Sequence, residues 1–231
     1  MAALLEAEGA PPSSIHIIQN WADAGLICPV DAAENPLRQA WGLVGKFVVG
    51  YSGNLGRAHE FDTMLGAAEA LLDEPSVVFL FIGGGHGNQQ LRAVASARGL
   101  SNVQFMPYQP QALLGQSLSV PDVHLVSLLP AMEGLIVPSK IYGIAAAGRP
   151  AIFIGDPAGE VATQLNTGGF GSSVQPGDSQ ALTAAIRALQ RAPERCREQG
   201  RRARAFFEQG QTSEHAAERW ARLLQAISPQ A

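Results

Sequence analysis

Cysteine is scarce in this sequence: only two are present, Cys28 and Cys196. They lie far apart and lack metal-ligand spacing. They argue against a disulfide framework and a cysteine nucleophile, and for a reducing compartment. Charge of one sign is also lacking. Sixteen Lys and Arg face twenty Asp and Glu, for a net charge of −4. No strongly basic block is present, which disfavours nucleic acid as a partner. The Arg-rich stretch from Arg187 to Arg204 is interleaved with Glu and Ala and reads as a solvated helix face. No apolar run is long enough to cross a bilayer. The opening MAALLEAEGAPPSS has neither the basic region nor the long apolar run of a secretory signal. A cytoplasmic location is the expectation. Charged residues make up 16% and hydrophobic residues 46% of the 231 positions. That composition supports a substantial core and one large domain with extensions.

The sequence divides into three parts. Residues 1–14 read as a helical or frayed start followed by a Pro-Pro-Ser-Ser linker. Residues 15–45 read as a hinge and irregular lead-in, with an extended piece at Ile15–Ile18 and a short helix near Pro36–Trp41. Residues 46–231 then alternate regularly. Apolar, β-rich runs at Lys46–Tyr51, Val77–Ile82, Val103–Met106, Val123–Ser127 and Ala151–Ile154 predict five strands, and Gly171–Val174 reads as a sixth. Helical spacing predicts helices over Phe61–Leu72, Gln89–Arg98, Pro110–Ser117, Pro138–Ala147, Glu160–Asn166, Ser179–Gln190 and Pro193–Gln209. A last helix capped at Thr212-Ser213 runs to about Ile227. Such alternation implies right-handed crossovers and an α/β fold: a Rossmann-like parallel sheet with helices on both faces. Ligands bind at the carboxyl ends of strands in such sheets.

Three strand-end loops carry residues suited to chemistry. In Ser52–Glu60, glycines permit close backbone approach, and the free N–H groups of the following helix favour an anion such as phosphate. Arg57 can add a bidentate contact and His59 a hydrogen bond. Alternatively, the loop is a tight turn with a surface Arg. The Gly83-Gly84-Gly85-His86-Gly87 loop follows the second predicted strand, which ends without an acid, so the NAD fingerprint does not fit. In Met132–Lys140, Glu133 can accept hydrogen bonds from sugar hydroxyls, while successive amides face an anion. Lys140 in the first turn of a helix opposes the helix dipole unless an anion lies close by. The competing reading leaves Lys140 in solvent.

In combination, FVVGYSGNLGRAHEFDTML, FLFIGGG and EGLIVPSKIYGIAAAGRP resemble the C-terminal, donor-binding domain of retaining GT-B glycosyltransferases of the group 1 type. The branch they resemble makes capsule, colanic-acid and O-antigen sugars in bacteria. The resemblance runs from about Ile15 to the C-terminus, and IIQNWAD resembles the interdomain hinge. It implies one half of a GT-B fold that takes a nucleoside-diphosphate sugar as substrate, with no cofactor and no metal. By resemblance, Gly53, Asn54, Arg57, His59 and Lys140 would face the diphosphate. Glu133 would meet donor-sugar hydroxyls and act in catalysis, the amides of Gly134, Leu135 and Ile136 would assist it, and Tyr108 and Gln109 would lie against the base. Gly143 stands where the family usually has a second acid that binds the ribose.

The resemblance also implies partners: an acceptor-binding N-terminal domain outside this chain, and peripheral membrane association through that domain. The apolar stripe Trp220, Leu223, Leu224 and Ile227 implies a face for that domain, or for self-association. Other readings stay open. A non-hydrolysing nucleotide-sugar epimerase shares the architecture. A non-catalytic nucleotide-sugar-binding module needs no partner, and a flavodoxin-like or NAD domain shares the sheet.

Overall fold

A computed structural model describes residues 1–228. The chain opens with α1 (Ala2–Ala7), a 3₁₀ turn at Pro12–Ser14 and α2 (Pro36–Ala40). It continues through β1 (Phe47–Asn54), α3 (Asp62–Ala70), β2 (Val77–Gly84), α4 (Asn88–Ala97), β3 (Val103–Met106), α5 (Leu114–Leu118) and β4 (Val123–Ser127). Then come α6 (Lys140–Ala146), β5 (Ala151–Ile154), α7 (Glu160–Gly168), β6 (Gly171–Val174), α8 (Ser179–Gln190), α9 (Pro193–Gly210) and α10 (Ser213–Ile227). All pairings among the six strands are parallel, in the order β3-β2-β1-β4-β5-β6.

Period-two side-chain alternation sends each strand's apolar residues to both faces, which explains why the strands read as continuous apolar runs. Val49, Tyr51, Phe79, Phe81 and Leu125 pack beneath α3, α4 and α8. Val126, Ala151 and Phe153 pack beneath α6, α7 and α9. Val48, Val78, Leu80 and Ile82 are covered with Leu37 and Trp41 from the lead-in. The lead-in therefore belongs to the packed body. Ala22 also bridges to Thr212.

Four predicted strands have the observed limits or nearly so, but β1 and β2 run on into their glycines. The ladder continues as Gly53↔Gly83 and Asn54↔Gly84. Glycine makes this extension possible: a Cβ on Gly83 would lie 2.2 Å from the Gly53 carbonyl oxygen, so the strand tips close only without one. The extended piece expected at Ile15–Ile18 is not a strand. The helix expected from Pro138 starts at Lys140, because Pro138 and Ser139 serve as its entry. The helix expected at Pro110–Ser117 is a 3₁₀ turn followed by a single short α-helix.

The strand order reverses direction between β1 and β4. Crossovers leave that point in opposite directions and open a crevice above the carboxyl ends of both strands. The loops after β1, β4 and β5 surround it.

Candidate functional site

β1 brings Tyr51 and Gly53 to the crevice floor, and α6 brings Lys140 across from the β4 side. The Lys140 ammonium sits 3.7 Å from the centroid of the Tyr51 ring, a cation–π contact. It lies equally close to where a Gly53 Cβ would stand, at 3.7 Å. Gly53 has a φ of +121°, a backbone that its lack of a side chain permits. Nζ is buried and has no hydrogen-bond acceptor among the described residues. Burial alone lowers the Lys140 pKa to about 7. The expectation that Lys140 turns inward holds; the solvent-facing alternative does not.

His59 lies beside the same ring, its centroid 5.9 Å from that of Tyr51. Its Nδ1 donates to the Ser127 carbonyl over 2.6 Å. A carbonyl only accepts, so that contact fixes the proton on Nδ1 and leaves Nε2 as the free ring nitrogen. Burial, then Lys140, hold His59 below its ordinary pKa, against the opposing pull of the Ser127 carbonyl. The Tyr51 hydroxyl, raised in pKa first by burial, donates to the Asn54 carbonyl over 3.0 Å.

The loop after β1 differs in one respect from its reading in sequence. At the amino end of α3 one amide is already taken. The Glu60 carboxylate accepts from the Thr63 amide at 2.8 Å, and Asp62 fills the first turn. A capping carboxylate already satisfies the dipole there. Arg57 is exposed, and none of the ion pairs among the described residues includes it. The Asn54 side chain folds over Gly85, where a Cβ would come within 2.0 Å of Oδ1.

On the β4 side, Glu133 reaches toward α7. Its Oε1 accepts from the Glu160 amide at 3.1 Å, and its Oε2 is buried without a partner among the described residues. Glu133 therefore meets the amino end of a neighbouring helix, a contact that sequence spacing does not reveal. The amides of Leu135 and Ile136 are also not free: both donate to the Met132 carbonyl at 3.1 Å. Of the three amides expected to face a ligand, only Gly134, at a φ of +77°, has no acceptor among the described residues. The side chains of Leu135 and Ile136 are exposed.

The Tyr108 ring covers the tips of β2. A Cβ on Gly84 would come within 3.2 Å of it, and the ring remains more than half exposed. Gln109 turns back instead, its amide donating to the Pro107 carbonyl over 2.9 Å. Gly143 faces Leu118 and Ile27. Tyr51, Ser127 and Gly159 belong to the site but were not singled out from the sequence. Tyr51 had the look of an ordinary strand residue, and nothing local marks the other two. Among the described residues, no cluster of His, Cys, Asp and Glu could hold a metal ion.

The parallel sheet with its switch point, glycine strand tips and a buried cation above them define a Rossmann-like domain. The chain belongs to the glycosyl transferases group 1 family, whose sequence profile matches residues 34–206. It is 32% identical over 183 residues to the Escherichia coli protein named as colanic acid biosynthesis glycosyl transferase WcaI, covering 78% of this chain and 45% of that protein. It is 30% identical over 186 residues to the Pseudomonas aeruginosa protein named as glycosyltransferase WbjE, covering 80% and 46%. The chain thus spans about half the length of these relatives. The crystal structure of Anabaena HepE in complex with UDP and glucose superimposes with a TM-score of 0.83 at 19% identity, over 98% of this chain and 61% of that one. That likeness confirms the GT-B type of fold. Among the described residues, no helix is long and apolar enough to cross a membrane.

Proposed function

We propose that this chain is the donor-binding half of a retaining glycosyltransferase that moves a sugar from a nucleoside diphosphate in bacterial surface polysaccharide biosynthesis. One observation carries the reading: the Lys140 ammonium is buried at the switch point beside Gly53 with no acceptor of its own. A desolvated cation without a partner is costly, and a diphosphate entering the crevice supplies the missing counter-charge. Arg57, exposed on the loop after β1 and outside the ion pairs of the described residues, provides the second cation. Glu133 is the carboxylate that meets the sugar hydroxyls, and Tyr108 offers an exposed ring face to the base.

In this role the domain does little proton transfer. Its fixed charges stand where negative charge grows on the departing diphosphate, so they lower the barrier without reorganising. No metal and no cofactor are needed for that step. Acceptor recognition, and any contact with a membrane, fall to a further domain, in keeping with the length of the relatives.

The test is a thermal-shift screen of the 231-residue chain with UDP, GDP, ADP and their glucose conjugates. One nucleotide series should raise the melting temperature, because a ligand bound only by the folded state stabilises it, and Lys140→Met should abolish the rise. A chain indifferent to all six compounds would overturn the reading.

A further inference from the structure

Gly159 is the last residue before α7, and the Glu133 carboxylate occupies the space where its side chain would be. A Cβ on Gly159 would stand 2.7 Å from Glu133 Cδ and Oε2 and 2.9 Å from Oε1. The glycine is not there for its backbone: its φ of −68° and ψ of 166° suit any residue. The backbone is also held firmly. Its amide donates to the Asp156 carbonyl at 2.9 Å, and its carbonyl accepts from the Thr163 amide at 3.0 Å and from the Thr163 hydroxyl at 2.9 Å. Any conflict at this position therefore falls on the carboxylate, the free end of a flexible side chain.

We propose that Gly159 is the positioning residue for Glu133. Its missing side chain lets the carboxylate lie against the amino end of α7 with one oxygen docked on the Glu160 amide, and that docking fixes where the carboxylate stands for the donor sugar. The docked pose is favourable in itself, since a carboxylate at a helix amino end gains from the dipole and from a charge-assisted hydrogen bond. The alanine variant keeps the fold and the nucleotide-facing residues Lys140 and Arg57 but evicts the carboxylate. The proposal rests on the donor reading above and deepens it, because it concerns recognition of the sugar rather than of the diphosphate.

Isothermal titration of the full chain with the pairs UDP and UDP-glucose, GDP and GDP-glucose, and ADP and ADP-glucose tests it. The quantity read is the ratio of the two affinities within the pair that the wild type binds. Gly159→Ala should lower the preference for the sugar conjugate about tenfold. In a Glu133→Ala background the same substitution should change nothing, since the two residues act as one. An unchanged ratio in Gly159→Ala, or an equal loss with and without Glu133, would overturn the positioning role while leaving the donor reading intact. So would a Gly159→Ala chain that fails to fold, which would place the conflict in the backbone. A wild type that binds none of the pairs overturns the donor reading and this proposal with it.

Discussion

Arg38 and Asp122 join the lead-in to the base of the sheet through two parallel hydrogen bonds, each 3.0 Å long. Asp122 Oδ2 also accepts from the Val48 amide at 2.7 Å, and Arg38 donates to the Lys46 carbonyl. Arg38 is only 4% exposed. A fork-to-fork pair of this kind is difficult to dissolve one partner at a time, because the survivor is left charged and buried. Asp122→Ala should therefore cost about 3–5 kcal/mol in urea unfolding. A loss below about 1 kcal/mol, as for a surface pair, would show that the contact is not anchoring.

Arg57 should matter to binding and not to folding. It is exposed and contacts no acid, so its removal leaves the melting temperature of the free chain in place. Arg57→Ala should weaken nucleoside-diphosphate binding by about 1.5–3 kcal/mol, as for a charge-assisted contact. Equal calorimetric affinities of wild type and variant would contradict this.

Lys140 gives that binding a pH dependence. Burial holds its pKa at about 7 in the free chain, and a bound diphosphate would raise it. Above pH 7 the ligand must therefore bring a proton in, so affinity should fall by up to about tenfold per pH unit between 7.5 and 9. Lys140→Met should bind weakly and flatly across the range. The stability effect has the opposite sense. The unfolded chain binds this proton up to the ordinary lysine pKa of 10.5. It thus holds more protons than the native state between 7 and 10.5, and native stability should climb with pH through that window. Calorimetry at four pH values, with melting curves on the same samples, checks both slopes.

The last helix offers a surface test. Trp220, Leu224 and Ile227 are all substantially exposed on α10, at 46%, 53% and 61%, and Ala216 is its one buried residue. An apolar stripe left in water favours association. Light scattering should show self-association that grows with concentration, and Trp220→Glu with Leu224→Glu should abolish it. A monomer at millimolar concentration would count against the stripe as a contact surface.

Most of the fold was legible because the central strands are buried and written in β-branched and aromatic residues, and the edge strands follow from the alternation with helices. Val103–Met106, Val123–Ser127, Ala151–Ile154 and Gly171–Val174 carry their own limits. The tips of β1 and β2 do not, since glycine is a poor strand former in isolation and the Gly53↔Gly83 and Asn54↔Gly84 pairs extend the ladder. The site was legible as a set of loops, not as a geometry. Lys140, His59 and Glu133 were all visible as types at the right strand ends. The ring of Tyr51 beneath Lys140, the Ser127 carbonyl on His59 and the Glu160 amide on Glu133 join residues distant in sequence. Local pattern cannot express such contacts. Pattern also missed that some of these amides are already taken, Thr63 by Glu60 and Leu135 and Ile136 by the Met132 carbonyl, because competition among acceptors is settled in three dimensions.

The contact between Gly83 and the Gly53 carbonyl limits how this crevice can change. A methyl group at position 83 would collide with main chain, not with a movable side chain, at 2.2 Å. Mutation cannot resculpt that wall by adding bulk at the strand tip without prying β1 from β2. New selectivity on this flank has to enter through the ring at position 108, which already leans over the glycines and is free to be exchanged.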